Sequence, residues 1–268
     1  MKIGDSVVIK NIIFDLSEVI ISGYYGTEKI IASNTDVSEE EFEKRRLEVN
    51  DFFLDVMRGN HTEEEYWQGL LAGTNWNISI DELKKFVRLN LNRRVPGTLD
   101  LINRIGKNYN LILLSDHVKE WMEYIIQNND GLSRFNKRFF SYEYGKVKSD
   151  SDVFEYLIHQ TQIIPEETVF IDDSLVNVQN AQKSGIDAIL FTDADSLEEE
   201  LRKRNINIVE KNLWYKPKTS STEVDDVFAR VKVILLPWFH LQKSGKSVLS
   251  HNGNHCNLQC YLKTENLW

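Results

Sequence analysis

Five positions carry side chains that could act together. Asp15 closes the apolar part of Asn11 to Ser22 (NIIFDLSEVIIS), and Ser115 closes Leu111 to Ser115 (LILLS), with Asp116 next. Lys148 lies in GKVKSDSDVFEYL, just ahead of an amphipathic helix, and Asp172 and Asp173 end Val169 to Asp173 (VFIDD), with Asn177 following. Short apolar runs suit parallel strands covered on both faces. The C-terminal ends of such strands are where open α/β sheets bind ligands. Singly, each residue has an ordinary structural use: Asp15 can begin a turn, Ser115 can cap a helix, and Lys148 can be a solvated loop lysine. Four such stretches in this order are harder to explain by ordinary structural use alone. Phosphoryl transfer needs an in-line nucleophile and neutralisation of charge on three oxygens. A carboxylate such as Asp15 can attack phosphorus to give an acyl phosphate that water later hydrolyses.

These stretches resemble the four motifs of the haloacid dehalogenase (HAD) superfamily: an Asp nucleophile, a Ser/Thr, a Lys and an acidic pair. The most specific is FIDDSLVNVQNAQKSGIDAILF, whose DDSxxNVxxAxxxGI pattern matches the fourth motif nearly residue for residue, and the resemblance spans about residues 10 to 208. It implies a Mg²⁺ cofactor held by Asp15, by Asp173 directly, by Asp172 directly or through water, and by the main-chain carbonyl of Ser17. Packing Asp15, Asp172 and Asp173 together without a cation would raise at least one pKa sharply, which is physical support for the metal. The resemblance further implies that Ser115 and the backbone N–H of Asp116 hold phosphate oxygens, and that Lys148 anchors nucleophile and phosphate as a point charge.

The sequence departs from the commonest pattern at Ser17. Most HAD phosphatases place a second Asp there to protonate the leaving alkoxide; a hydroxyl is a poor donor, and losing general acid catalysis costs about 10²- to 10⁴-fold. A branch with DLGxV at this position, including sugar-phosphate phosphatases, also lacks that Asp. DLSEV looks like that branch, and MRGNHTEEEYW resembles its cap segment. Haloacid dehalogenases lack it too, although the acidic pair suits a metal they do not use. The expected activity is a Mg²⁺-dependent phosphatase acting on a small phosphorylated metabolite such as a sugar phosphate, with leaving-group selectivity. The alternatives are a dehalogenase-like hydrolase and a non-catalytic module that binds a phosphate compound or a protein.

The elements that must position these residues read as α/β. After the Asp15 strand, about Thr27 to Arg94 turns helical, with Ser38/Glu41 and Thr62/Glu65 as capping boxes and Ser79 opening a further helix. The stripe from Phe42 to Val56 reads as one helix closed by Arg58-Gly59-Asn60. From Val95 strands and helices alternate, which implies a parallel sheet with right-handed crossovers. The expected architecture is a Rossmann-like parallel sheet core, residues 1–22 and 95–210, with an inserted helical C1 cap at 23–94. Tyr24, Tyr25, Arg58 and Trp67 are candidates to face the cavity beneath the cap. Residues 2–9 read as an edge strand and Ile206 to Val209 as a last strand.

Residues 211–268 show no clear βα unit and form an extension of unknown role. Val231 to Leu236 reads as a strand; His251, His255, Cys256 and Cys260 are either tail residues or zinc ligands. With both cysteines there, the body has no disulfide framework, which fits a cytoplasmic location. A net charge of −9 disfavours nucleic acid and anionic lipid as partners. No apolar run approaches the ~20 residues that span a bilayer, and Asp5, Ser6 and Lys10 interrupt any signal-peptide core.

Overall fold

The computed structural model describes residues 7–211. Strand β1 (Asn11–Phe14) leads into the helices α1 (Thr27–Asn34), α2 (Glu39–Glu48), α3 (Asn50–Met57), α4 (Glu63–Leu71) and α5 (Ile80–Leu91). The chain then alternates through α6 (Thr98–Arg104), β2 (Asn110–Ser115), α7 (Lys119–Asn128), β3 (Lys137–Phe140), the short α8 (Ser141–Tyr144) and α9 (Val153–Thr161). It continues with β4 (Thr168–Asp172), α10 (Leu175–Lys183), β5 (Asp187–Leu190) and α11 (Ala194–Lys203). The five strands form one parallel sheet in the order β3-β2-β1-β4-β5. The Asp15 strand therefore lies at the centre, between the Leu111 and Val169 strands, as expected.

Alternation of side chains along the strands makes two cores. Ile13, Ile112, Leu114 and Phe170 face one side and pack with Val153, Phe154 and Leu157 of α9 and Val178 and Ala181 of α10. Ile12, Phe14, Leu111, Leu113, Val169 and Ile171 face the other, with Leu101, Trp121, Met122 and Leu197. Both faces are covered, which is why the strands read as apolar runs rather than alternating ones.

The helical insert is continuous with the second core through Tyr24, Phe42, Phe53, Tyr66, Trp67 and Leu70. Its helix starts follow the sequence signals: Ser38/Glu41, Thr62/Glu65 and Ser79/Glu82 each close a reciprocal capping box. The single helix expected from Ser38 to Val56 is two, broken at Val49, where a β-branched residue meets an Asn that favours a helix start. Leu47, counted in its apolar stripe, is exposed.

Two expected strands do not appear as sheet strands among the described residues. Residues 7–10 carry none, and residues 1–6 lie outside the described residues. Ile206 to Val209 makes only an isolated antiparallel bridge, Ile208 to Ile105. Its backbone is partnered by the loop after α6, with the Gly106 amide donating to the Asn207 carbonyl and the Val209 amide to that of Arg104. Loop pairing satisfies these groups without adding to the sheet edge. The expected strand at Val231 to Leu236, and His251, His255, Cys256 and Cys260, lie outside the described residues. No helix among the described residues is long and apolar enough to cross a membrane.

Candidate active site

Register brings the site together. Phe14 pairs with Leu113 on one side and with Ile171 on the other, so parallel β1, β2 and β4 deliver Asp15, Ser115 and Asp172 to the same sheet end. Asp15 is buried, and its amide donates to the Ile171 carbonyl at 2.9 Å, continuing the ladder one residue past the strand. Beyond it the chain turns sharply: Glu18 has φ 56°, and its carboxylate accepts the Gly23 amide at 2.6 Å. A Cβ at position 23 would lie 2.8 Å from Cβ of Ser17, so this close approach requires glycine.

Lys148 reaches the strand ends from the loop between α8 and α9. Its Nζ lies 2.7 Å from Asp15 Oδ1 and donates to Asp172 Oδ2 at 2.7 Å. Its own amide donates to Asp116 Oδ2 at 2.8 Å, and its carbonyl accepts from Asn180 at 3.2 Å. The second oxygen of Asp172 accepts from the Ser174 amide and from Asn177. Burial pushes the Asp15 carboxyl well above its ordinary value, although the Lys148 ammonium opposes the shift. Burial alone would depress Lys148, but the charges of Asp15, Asp172 and Asp116 outweigh it and hold it well above the usual lysine value. Asp116 is pushed up to about 6, chiefly by burial.

Two features suit the binding of a charged ligand. The Ser115 hydroxyl is completely buried without a hydrogen-bond partner, and such groups usually have one. Asp15, Asp172 and Asp173 each offer a carboxylate oxygen, all within 4.8 Å of one another, with Asp173 open to solvent. Three hard oxygen donors at that spacing suit Mg²⁺ or Ca²⁺ better than a soft metal.

The structure thus gathers Asp15, Lys148, Asp172 and Asp173 at one point and sets Ser115 and Asp116 on the adjoining strand end. Ser17 lies just past Asp15, with its Oγ 3.4 Å from Nε2 of His117. Two of the four insert candidates are taken up by the packed interior. Tyr24 and Trp67 are buried in the aromatic interior, because their rings pack with Phe53, Tyr66 and Trp121. Tyr25 is 60% exposed beneath the Arg46 guanidinium. Arg58 is engaged by Asp150 and Asp55. His117 was not among the sequence candidates; it is buried beside Ser17, and burial pushes it down to about 3, which favours the neutral imidazole. The signal was its place two residues past the end of LILLS. A groove of about 530 Å³, bordered by His61, Thr62, Glu65, Lys119 and Glu143, involves none of the strand-end residues.

The haloacid dehalogenase-like hydrolase family model matches residues 12–191. The chain belongs to this family. It is similar to a D-ribitol-5-phosphate phosphatase of Bacteroides thetaiotaomicron, 24% identical over 187 residues covering 67% of this chain and 90% of that one. Among solved structures it resembles a HAD-family enzyme of the same organism, at TM-score 0.60 and 25% identity, covering 73% of this chain and 99% of that one. A structure of that enzyme in complex with magnesium and inorganic phosphate aligns at TM-score 0.57 and 24% identity, covering 69% and 95% of the two chains.

Proposed function

We propose that this hydrolase is a Mg²⁺-dependent phosphatase that opens a phosphate monoester of a small sugar or polyol through an acyl phosphate on Asp15. The observation that carries this reading is the Lys148 ammonium held between Asp15 and Asp172, with the buried, unpartnered Ser115 hydroxyl on the adjoining strand end. Asp15 attacks phosphorus in line, the bond from phosphorus to the substrate alcohol breaks, and the departing alkoxide takes up a proton from water. Water then attacks phosphorus, releasing orthophosphate and restoring the carboxylate. Ser115 and the Asp116 amide donate to phosphoryl oxygens, and Lys148 keeps the Asp15 carboxylate aimed and offsets anionic charge. The carboxylates of Asp15, Asp172 and Asp173, with the Ser17 main-chain carbonyl, would hold Mg²⁺, which supplies charge neutralisation at the transferring group.

In this reading residues 23–94 act as a cap over the strand ends. The similarity to a ribitol-phosphate phosphatase and the magnesium and phosphate bound to the structural relative support the substrate class and the metal. Ser17 stands where a stronger acid would protonate the leaving oxygen, so turnover falls as the leaving group becomes more basic. The test is phosphate release from a panel of sugar and polyol phosphates and from p-nitrophenyl phosphate, with and without Mg²⁺, with Asp15→Asn as control. Mg²⁺-dependent release that Asp15→Asn abolishes supports the proposal. No turnover on any ester, with phosphate binding intact, would favour a binding module.

A further inference from the structure

Three consecutive insert residues, Met57, Arg58 and Gly59, dock on α8 and on the loop that carries Lys148. The Met57 carbonyl accepts the Ser141 hydroxyl at 2.6 Å, and that hydroxyl accepts the His117 amide at 2.9 Å. Gly59 has φ 81° and lies so close to Tyr142 that a Cβ would stand 2.6 Å from its carbonyl oxygen. Between them Arg58 grips Asp150, with Nη2 2.7 Å from Oδ1 and Nε 3.3 Å from Oδ2, while Nη1 donates to Asp55 at 3.2 Å. Asp150 in turn closes the lysine loop: Oδ2 accepts the Val147 amide at 3.0 Å, and its own amide donates to the Val147 carbonyl at 2.8 Å. Lys148 sits inside that closed turn.

We propose that the Arg58–Asp150 fork is a positioning device that ties the location of the helical insert to the placement of the Lys148 ammonium between Asp15 and Asp172. Two parallel bonds between planar groups fix an angle as well as a distance, which a lysine in place of Arg58 could not do. Moving the insert away from the core would pull Asp150 off Val147 and free the lysine loop. Lys148 is therefore fully placed only when the insert is docked. The proposal deepens the phosphatase reading and rests on it for the catalytic consequence, but the mechanical coupling stands independently.

The test is hydrogen exchange at residues 147–150, with Mg²⁺-dependent phosphatase kinetics, on Arg58→Gln, Asp150→Asn, the double variant and Arg58→Lys. Exchange at 147–150 should quicken about five- to tenfold in each single variant, and no further in the double, because both break the same link. Given a turnover assay, kcat should fall about 10- to 100-fold with KM moving far less, the signature of a misplaced group, and Arg58→Lys should recover only part. A purely structural staple would quicken exchange throughout 23–94 and leave kcat per folded molecule unchanged, overturning the proposal. Unchanged exchange at 147–150 in a folded Arg58→Gln or Asp150→Asn chain would also overturn it, whatever happens to activity. A wild-type chain without turnover, but with quickened local exchange in the variants, would sink the phosphatase reading and leave the coupling standing.

Discussion

Two regions bury charge, and they treat it in opposite ways. In the insert, Glu63 is buried yet fully partnered: Oε1 accepts from the Trp67 and Trp121 indoles at 3.1 and 2.8 Å, and both oxygens receive Arg88 at 2.6 and 2.7 Å. Asn90 donates to the Gly23 and Tyr25 carbonyls, and the Tyr24 and Tyr66 hydroxyls pair at 2.8 Å. At the strand ends one ammonium serves Asp15 and Asp172, a third carboxylate crowds them, and the Ser115 hydroxyl has no partner. Buried polar groups that are satisfied specify a structure. Those left unsatisfied are expensive unless something else binds there. The Glu63, Asn90 and paired-tyrosine groups of the insert are of the first kind, and the Ser115 hydroxyl at the sheet end is of the second.

The largest effects should separate the two regions. Replacing Ser115 by Ala should lower kcat/KM about 10²-fold, since one donor to a developing oxyanion is lost. The same change removes an orphan buried hydroxyl, so it should raise stability by about 1 kcal/mol. Chemical denaturation beside kinetics checks both signs, and a destabilised Ser115→Ala would break the contrast. Glu63→Ala should do the reverse. It strands Arg88 and two indoles and should cost about 3 kcal/mol, the low end for a broken buried pair because Arg88 reaches solvent. That lowers Tm by roughly 6–12 °C, with turnover per folded molecule within about twofold of the native chain. A large loss of turnover at the growth temperature of a still-folded Glu63→Ala would show that the insert's interior also serves catalysis.

A smaller effect follows with pH. Burial alone would raise the Glu63 carboxyl, but the hydrogen bonds from Arg88, Trp67 and Trp121 reverse that and hold it below the usual glutamate value. Its contribution to stability is therefore complete above the unfolded-chain value, about 4.3, and is lost as pH falls through the lower folded-state value. Glu63→Gln should show less acid destabilisation below pH ~4 than the native chain. Equal slopes in urea titrations across that range would remove Glu63 from the account.

The sequence carried the sheet well and the insert only in outline. The strands are short apolar runs bounded by polar residues, and the chemistry-bearing groups sit at their ends, so position along the strand predicted convergence. Capping boxes were equally legible, because both partners lie within four residues of each other. What escaped depended on contacts between distant segments. Arg58 read as a cavity residue, but its partner Asp150 lies 92 positions away. Trp67 and Tyr24 read the same way, because the ring cluster that buries them is assembled from several helices and the core residue Trp121. His117 was passed over because a lone histidine after a strand has no periodic signature; its value as a neighbour of Ser17 exists only once the β1 turn is folded. The split at Val49 needed knowledge of which residues would be buried, and Leu47 points outward.

The central claim is that phosphorus is attacked by Asp15 rather than by water directly. Acid-quenched single-turnover mixing with Mg²⁺ and a substrate found active in the panel, followed by mass spectrometry of the peptide carrying residues 11–22, reads that step itself. The account predicts a transient phosphoryl adduct on Asp15 that forms before orthophosphate appears and is absent in Asp15→Asn, whose turnover falls on the order of 10⁴-fold or more. Phosphate release at an undiminished rate from Asp15→Asn, with no adduct on the native peptide, would contradict it.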